Sequence, residues 1–222
     1  METARIAELL APYLAAANTT SAKNLILTNE QLNNISIYID ILLRWNARMN
    51  LTAVREPEDI MRRHFGESLF TARYLFPDVE GQPPIKIIDV GSGAGFPGLP
   101  IKLWLRNAQV TLIEANNKKV SFLREVIRGI TLMNIDVFSG RAESYQGPLG
   151  DIVTFRAVEK FEATLPTAAR LIASGGKLAI LIGEGQYEKA KSLMPMLHWN
   201  AAVNIPGSVN RILAIARRDL TE

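Results

Sequence analysis

The chain has 222 residues, of which 48% are hydrophobic, 21% charged and 7% aromatic, a globular mix that excludes a disordered or collagen-like protein. Lysine and arginine number 25 against 22 acidic residues, a formal charge of +3, which permits an anionic partner but is far from histone-like. There is no cysteine, which excludes a disulfide framework, a thiolate metal site and a cysteine nucleophile and fits a reducing cytoplasm.

Residues 1–80 read as helical. Leu9 to Ala17 is apolar but short and follows Glu2 and Glu8, so it reads as the face of a first helix and not as a signal-peptide core. Thr28 with Gln31 three positions on is a capping-box signature. Leu32, Ile35, Ile39, Leu42 and Trp45 then recur at helical spacing. Pro57, with Glu58 and Asp59 behind it, starts another helix, on which Ile60, His64, Ser68 and Ala72 share a face. Gly81-Gln82-Pro83-Pro84 is a breaker cluster. It predicts a boundary between a helical extension, 1–80, and a core domain, 81–222. The extension holds 8 basic and 10 acidic residues and the core 17 and 12, so the positive excess lies in the core.

From Ile85 the texture changes. Ile85 to Val90, Val110 to Ile113, Ile135 to Phe138, Ile152 to Phe155 and Lys177 to Ile182 read as strands. Helical stretches around Leu99–Arg106, Val120–Ile130 and Leu165–Ala173 alternate with them. That alternation predicts an α/β fold with a parallel sheet covered on both faces. Ala201 to Ile205 and Ile212 to Ala216, separated by Pro206-Gly207-Ser208, leave no room for a helix and predict a terminal antiparallel hairpin. No run approaches the ~18 apolar residues of a membrane span, so a cytoplasmic protein without a membrane partner is expected.

Asp89-Val90-Gly91-Ser92-Gly93-Ala94-Gly95 joins the first strand to its helix. Glycines there permit positive φ and let a ligand approach the backbone, at the place where open α/β sheets bind nucleotide-like groups. Glu114 closes the second strand, where a carboxylate can accept hydrogen bonds from a ribose diol. A dinucleotide needs the order Gly-x-Gly-x-x-Gly. Counted from Gly91 that order fails at Phe96; counted from Gly93 it runs through Gly95 and Gly98 with Phe96 and Pro97 inside it. S-adenosylmethionine, which has no phosphate, suits the acidic residue, the alternate glycines and the hairpin better. A turn serving structure alone is the remaining alternative.

The stretch Asp89 to Pro100, D-V-G-S-G-A-G-F-P-G-L-P, resembles the cofactor motif of the 16S ribosomal RNA guanine-N7 methyltransferases (the glucose-inhibited division protein B family). The resemblance extends to Trp45-Asn46, Asn50-Leu51-Thr52-Ala53-Val54, Arg63-His64, Glu67-Ser68, Lys118 to Leu123, Arg141-Ala142-Glu143 and Arg156-Ala157. It implies a class I methyltransferase fold, Rossmann-like and seven-stranded, behind a helical extension. It implies S-adenosylmethionine as methyl donor and one guanine of 16S ribosomal RNA as acceptor, within the small ribosomal subunit or an assembly intermediate. Gly91, Gly93, Gly95 and Phe96 are then expected at the cofactor, Glu114 at its ribose, Ala142 and Glu143 at its adenine and Arg156 near its methionine end. Arg141 and Arg156 are the candidate catalytic residues, and Arg63, His64, Arg141 and Arg211 the candidate RNA contacts. The family's Lys-Gly pair after the fifth strand is Ile182-Gly183 here, so an RNA contact from that lysine does not carry over.

Guanine N7 has a lone pair and no proton, so methylation there needs no general base. Exocyclic-amino methyltransferases resemble one another in an Asn/Asp-Pro-Pro-aromatic motif after the fourth strand; this chain has Thr154-Phe155-Arg156-Ala157. Trp45 reads as core packing, and two histidines far apart make a metal site unexpected. Two other readings stay open: a small-molecule methyltransferase with a closed pocket, and a non-catalytic RNA-binding module.

Overall fold

The computed structural model describes residues 1–15, 26–77, 83–156 and 160–220. Helices α1 (Thr3–Leu14), α2 (Asn29–Met49), α3 (Pro57–Ile60) and α4 (Glu67–Leu75) come first, with a π-helical turn, Met61–Gly66, between α3 and α4. The expected capping box starts α2: the Gln31 N–H donates to Thr28 Oγ1 at 3.2 Å and the Thr28 N–H to Gln31 Oε1 at 2.8 Å. Asn50, at φ 49°, ends that helix in the left-handed region.

The second part alternates: β1 (Lys86–Val90), α5 (Gly98–Trp104), β2 (Gln109–Glu114), α6 (Asn117–Gly129), β3 (Ile135–Ser139), β4 (Gly150–Arg156), α7 (Phe161–Arg170), β5 (Ile172–Gly183) and α8 (Tyr187–Leu193). Three last strands follow, β6 (His198–Trp199), β7 (Val203–Asn204) and β8 (Arg211–Arg217). The sheet order is β3-β2-β1-β4-β5-β8-β6, with β7 also on β8. Strands β1 to β5 are parallel, and β8 is antiparallel to β5 over Lys177–Gly183. Both β6 and β7 pair antiparallel with β8, so the expected seventh strand is present as two short pieces. The chain order reverses at β1, between β2 and β4, which is the switch point where open α/β sheets bind ligands.

Two helices differ from expectation. α7 begins earlier than Leu165, and Ile172 already pairs with Gly150 in the sheet. α8 was not expected; only Ala190 of it is buried, so it carries no apolar stripe.

The core is continuous across the expected boundary at 80/81, although residues 78–82 themselves lie outside the described residues. Ile35, Ile39, Leu42, Phe65 and Leu69 share one apolar cluster with Ile87, Leu99, Leu112 and Phe122. The opposite face packs Ile88, Val90, Val153 and Phe155 against α7 and α8. Trp45 does what its spacing implied: its ring meets Phe122 edge-on at 5.8 Å and its Nε1–H donates to Glu125 at 2.9 Å. The early helices therefore form a layer of the α/β sandwich. Among the described residues no helix is long and apolar enough to cross a membrane.

Candidate active site

The turn after β1 is built from residues that permit it. Gly91, Gly93 and Gly95 have φ of 66°, 58° and 89°, the left-handed region open to glycine at little cost. Gly95 also has Tyr38 and Leu99 against it where a Cβ would stand, so close packing and dihedral both demand glycine there. The turn is held from below by Asp89, which is fully buried. Its Oδ1 accepts from the Thr154 hydroxyl at 2.9 Å and its Oδ2 from the Gly98 N–H at 3.2 Å, tying β1 to β4 and to the start of α5. Burial pushes the Asp89 carboxyl up to about 7, against the hydrogen bonds from Thr154, Ser92 and Gly98.

Glu114 holds the turn from the side. Its Oε2 accepts from the Gly93 N–H at 2.9 Å and its Oε1 from the Asn116 N–H at 2.7 Å. Each carboxylate oxygen has a second lone pair free for a hydroxyl. Beside it opens a cleft of about 310 Å³ lined by Gly91, Glu114, Arg141, Ala142, Glu143 and Lys160, with Thr164 and Thr167 of α7. A larger groove, about 480 Å³, lies on the sheet near Lys86, Gln109 and Asn134. Those residues mark the amino ends of β1 to β3, the wrong end for this turn.

A second cluster sits where β4 and β8 meet the early helices. Arg156, at the end of β4, is nearly buried. Its Nη2 lies 2.9 Å from His64 Nδ1 and 3.3 Å from Glu67 Oε2, and Glu67 Oε2 is also 3.0 Å from Arg211 Nη2. A guanidinium has no lone pair, so His64 Nδ1 is the acceptor. Nε2 of His64 then carries the proton and donates to Thr52 Oγ1 at 2.7 Å. Thr52 is in turn set by its own N–H, which donates to Asn46 Oδ1 at 2.9 Å. Arg156 Nη1 and Arg211 Nε are buried without a hydrogen-bond acceptor among the described residues, while Arg211 Nη2 is ion-paired with Glu67. Two guanidiniums, one carboxylate and a neutral imidazole leave an excess positive charge at the carboxyl end of the sheet.

Burial, then the charges of Arg156, Arg63 and Arg211, push His64 down to about 3. The unfolded imidazole takes a proton near 6.5, so the folded state loses stability as pH falls through that value toward 3. Asp89 acts in the opposite sense, because its folded pKa is raised and stability from it is gained as pH falls from about 7 toward 4. His64→Gln removes only the first effect. Its stability relative to wild type is expected to improve by about 2 kcal/mol between pH 7 and pH 5. Urea unfolding of both proteins at the two pH values measures this; parallel pH dependences would contradict it.

Of the residues expected at a cofactor, Gly91, Glu114, Ala142 and Glu143 line the cleft. Gly93 and Gly95 shape the turn from behind. Phe96 does not line the cleft: its ring is buried against Tyr38, Phe65 and His64. Arg156 likewise lies outside that lining and turns toward His64 and Glu67. Arg141 lines the cleft, Arg63 is exposed, and His64 and Arg211 belong to the buried cluster. Ala157 lies outside the described residues. Lys160, Thr164 and Thr167 were not anticipated; their only signal was that α7 must start near the carboxyl end of β4. Among the described residues no group of three or more His, Asp or Glu side chains could hold a metal.

A family model described as "GidB: rRNA small subunit methyltransferase G" matches residues 31–209. The chain is 31% identical over 216 residues to the ribosomal RNA small subunit methyltransferase G of Streptococcus pyogenes serotype M2, covering 90% of this chain and 88% of that protein. Its fold is similar to that of an S-adenosylmethionine-dependent methyltransferase from Aquifex aeolicus, with a TM-score of 0.56 and 14% identity over 73% of this chain and 93% of that one. A predicted O-methyltransferase from Agrobacterium tumefaciens is similar at a TM-score of 0.55 and 21% identity, covering 70% and 84% of the two chains. The fold is that of the class I methyltransferases.

Proposed function

The chain belongs to the rRNA small subunit methyltransferase G (GidB) family, and from that premise we propose that its glycine-turn cleft carries methyl transfer from S-adenosylmethionine to N7 of one guanine in 16S ribosomal RNA. The protein is an S-adenosylmethionine-dependent rRNA methyltransferase. The observation that carries the site assignment is the cleft of about 310 Å³ between Gly91, the Glu114 carboxylate and the Ala142–Glu143 segment. The donor set fits a sulfonium nucleoside. A carboxylate with lone pairs to spare suits a ribose diol, and the Gly91–Gly95 turn presents backbone instead of side chains.

Bound S-adenosylmethionine supplies an electrophilic methyl group on a positively charged sulfur. Guanine N7 has a lone pair to accept that methyl group and carries no proton to be removed. The chain's residues then have only to bind, orient and exclude water, which can lower a barrier by roughly 7–11 kcal/mol. His64 fits this account: its one lone pair is engaged by Arg156, so it is not a free base, and none is required. Glu114 holds the ribose, Ala142 and Glu143 flank the adenine, and Arg156 stands toward the methionine end. Arg63, Arg141 and Arg211 contribute positive charge for RNA phosphate at the same end of the sheet. The target guanine sits in folded RNA, within the small subunit or an assembly intermediate, because a loop base must be splayed out to be read.

Deleting the gene and mapping N7-methylguanine in 16S ribosomal RNA tests this. One methylated guanine is expected to vanish and to return on complementation. An unchanged map would refute the 16S assignment, and purified enzyme that methylates a small molecule without RNA would favour the closed-pocket alternative.

A further inference from the structure

Tyr38 is far from the cleft in sequence, on α2, and is fully buried. Its hydroxyl donates to the carbonyl of Ala94, in the middle of the glycine turn. Its ring stacks on Phe96 with centroids 5.4 Å apart and planes 9° apart, and meets Phe65 edge-on at 4.9 Å. Phe96 in turn lies 5.0 Å from the His64 ring, which accepts from Arg156. One packed chain therefore runs from the turn, through α2 and the π-helical turn, to the end of β4. Within the turn the N–H groups of Gly95 and Phe96 donate to the Ser92 carbonyl, but the glycines remain the residues with most backbone freedom to lose. Asp89 and Glu114 fix the N–H groups of Gly98 and Gly93; the carbonyl of Ala94 between them is fixed by Tyr38.

We infer that Tyr38 is a positioning residue for S-adenosylmethionine, and that the early helices complete the cofactor site besides facing RNA. This rests on the reading that the glycine turn holds the cofactor. Tyr38 touches no reacting atom; it sets the backbone that does the binding. A ligand must meet a turn already in its bound shape, and any loosening is charged to its affinity.

Calorimetric titration of S-adenosylmethionine into wild type, Tyr38→Phe and Ile39→Val tests it, alongside the KM for 16S RNA in small subunits. Tyr38→Phe keeps the ring stack and loses only the hydroxyl, so it is expected to weaken cofactor binding roughly five- to tenfold with the RNA KM within about twofold of wild type. Ile39→Val truncates a buried neighbour on the same helix. It should lower the melting temperature by roughly 1–6 °C and leave cofactor affinity unchanged. Equal cofactor affinity in wild type and Tyr38→Phe would overturn the inference alone, as would an equal loss in Ile39→Val. Wild-type protein that takes up no S-adenosylmethionine would overturn the cofactor reading and this inference with it.

Discussion

Glu67→Ala is expected to lower the melting temperature by roughly 6–12 °C. The carboxylate is 3% exposed and lies 3.3 Å from Arg156 and 3.0 Å from Arg211. Burial raises its pKa, while Arg156, Arg211 and Arg63 pull it back toward the charged form. Removing it leaves two guanidiniums facing each other with no anion between them. Breaking a buried pair by deleting one partner costs about 3–5 kcal/mol. The lower end applies here because Arg211 is 23% exposed and can turn to water; Arg156, at 6%, cannot. For a chain of this size each kcal/mol is worth roughly 2–4 °C. Glu67→Gln preserves shape but not charge and should fall between. Thermal unfolding followed by circular dichroism reads all three proteins. A Glu67→Ala protein within about 2 °C of wild type would mean that the cluster relaxes freely and that its geometry is not a fixed feature of the site.

Glu114→Ala is expected to weaken S-adenosylmethionine binding at least 100-fold. Two effects add. The Gly93 and Asn116 N–H groups lose the acceptor that aligns the turn, and in the proposed site the cofactor's ribose diol loses a charged acceptor. Hydrogen bonds to a charged group are worth roughly 1.5–3 kcal/mol each, and two at the lower bound already exceed a hundredfold in affinity. Glu114→Gln retains one carbonyl oxygen but turns the other acceptor into a donor toward an N–H. A loss of roughly tenfold is expected for it. Titration calorimetry measures both, and affinities within threefold of wild type would remove Glu114 from the site.

What could be read in advance was local. Thr28 and Gln31 are three residues apart, and their cap formed as expected. The alternate glycines 91, 93 and 95 imply positive φ, and each adopts it. The antiparallel β7–β8 pairing followed from two apolar runs too close together for a helix. What could not be read depends on partners far apart in the chain. Tyr38 meets Ala94 across 56 residues and Arg156 meets His64 across 92, and no periodicity encodes such a pairing. Phe96 shows the limit most clearly. Its place in the glycine motif pointed to the cofactor, yet its ring packs into the aromatic cluster beneath the turn. The π-helical turn at Met61–Gly66 was equally hidden, since its residues differ little from those of an ordinary helix. Lys160 is not legible in the sequence because its position depends on where α7 begins, and that helix starts without a side-chain cap.

The neutral state of His64 and the elevated pKa of Asp89 arise from the same cause. Both groups are placed out of water so that the turn and the end of β4 keep one shape.

The most direct test uses small ribosomal subunits from cells lacking the gene, purified enzyme and S-adenosylmethionine with a deuterated methyl group, followed by mass spectrometry of the digested RNA. The account predicts one labelled nucleotide, a guanosine of 16S RNA carrying the label on N7. Label on an exocyclic nitrogen or a carbon, or RNA returned unlabelled by enzyme that binds the donor, would contradict it.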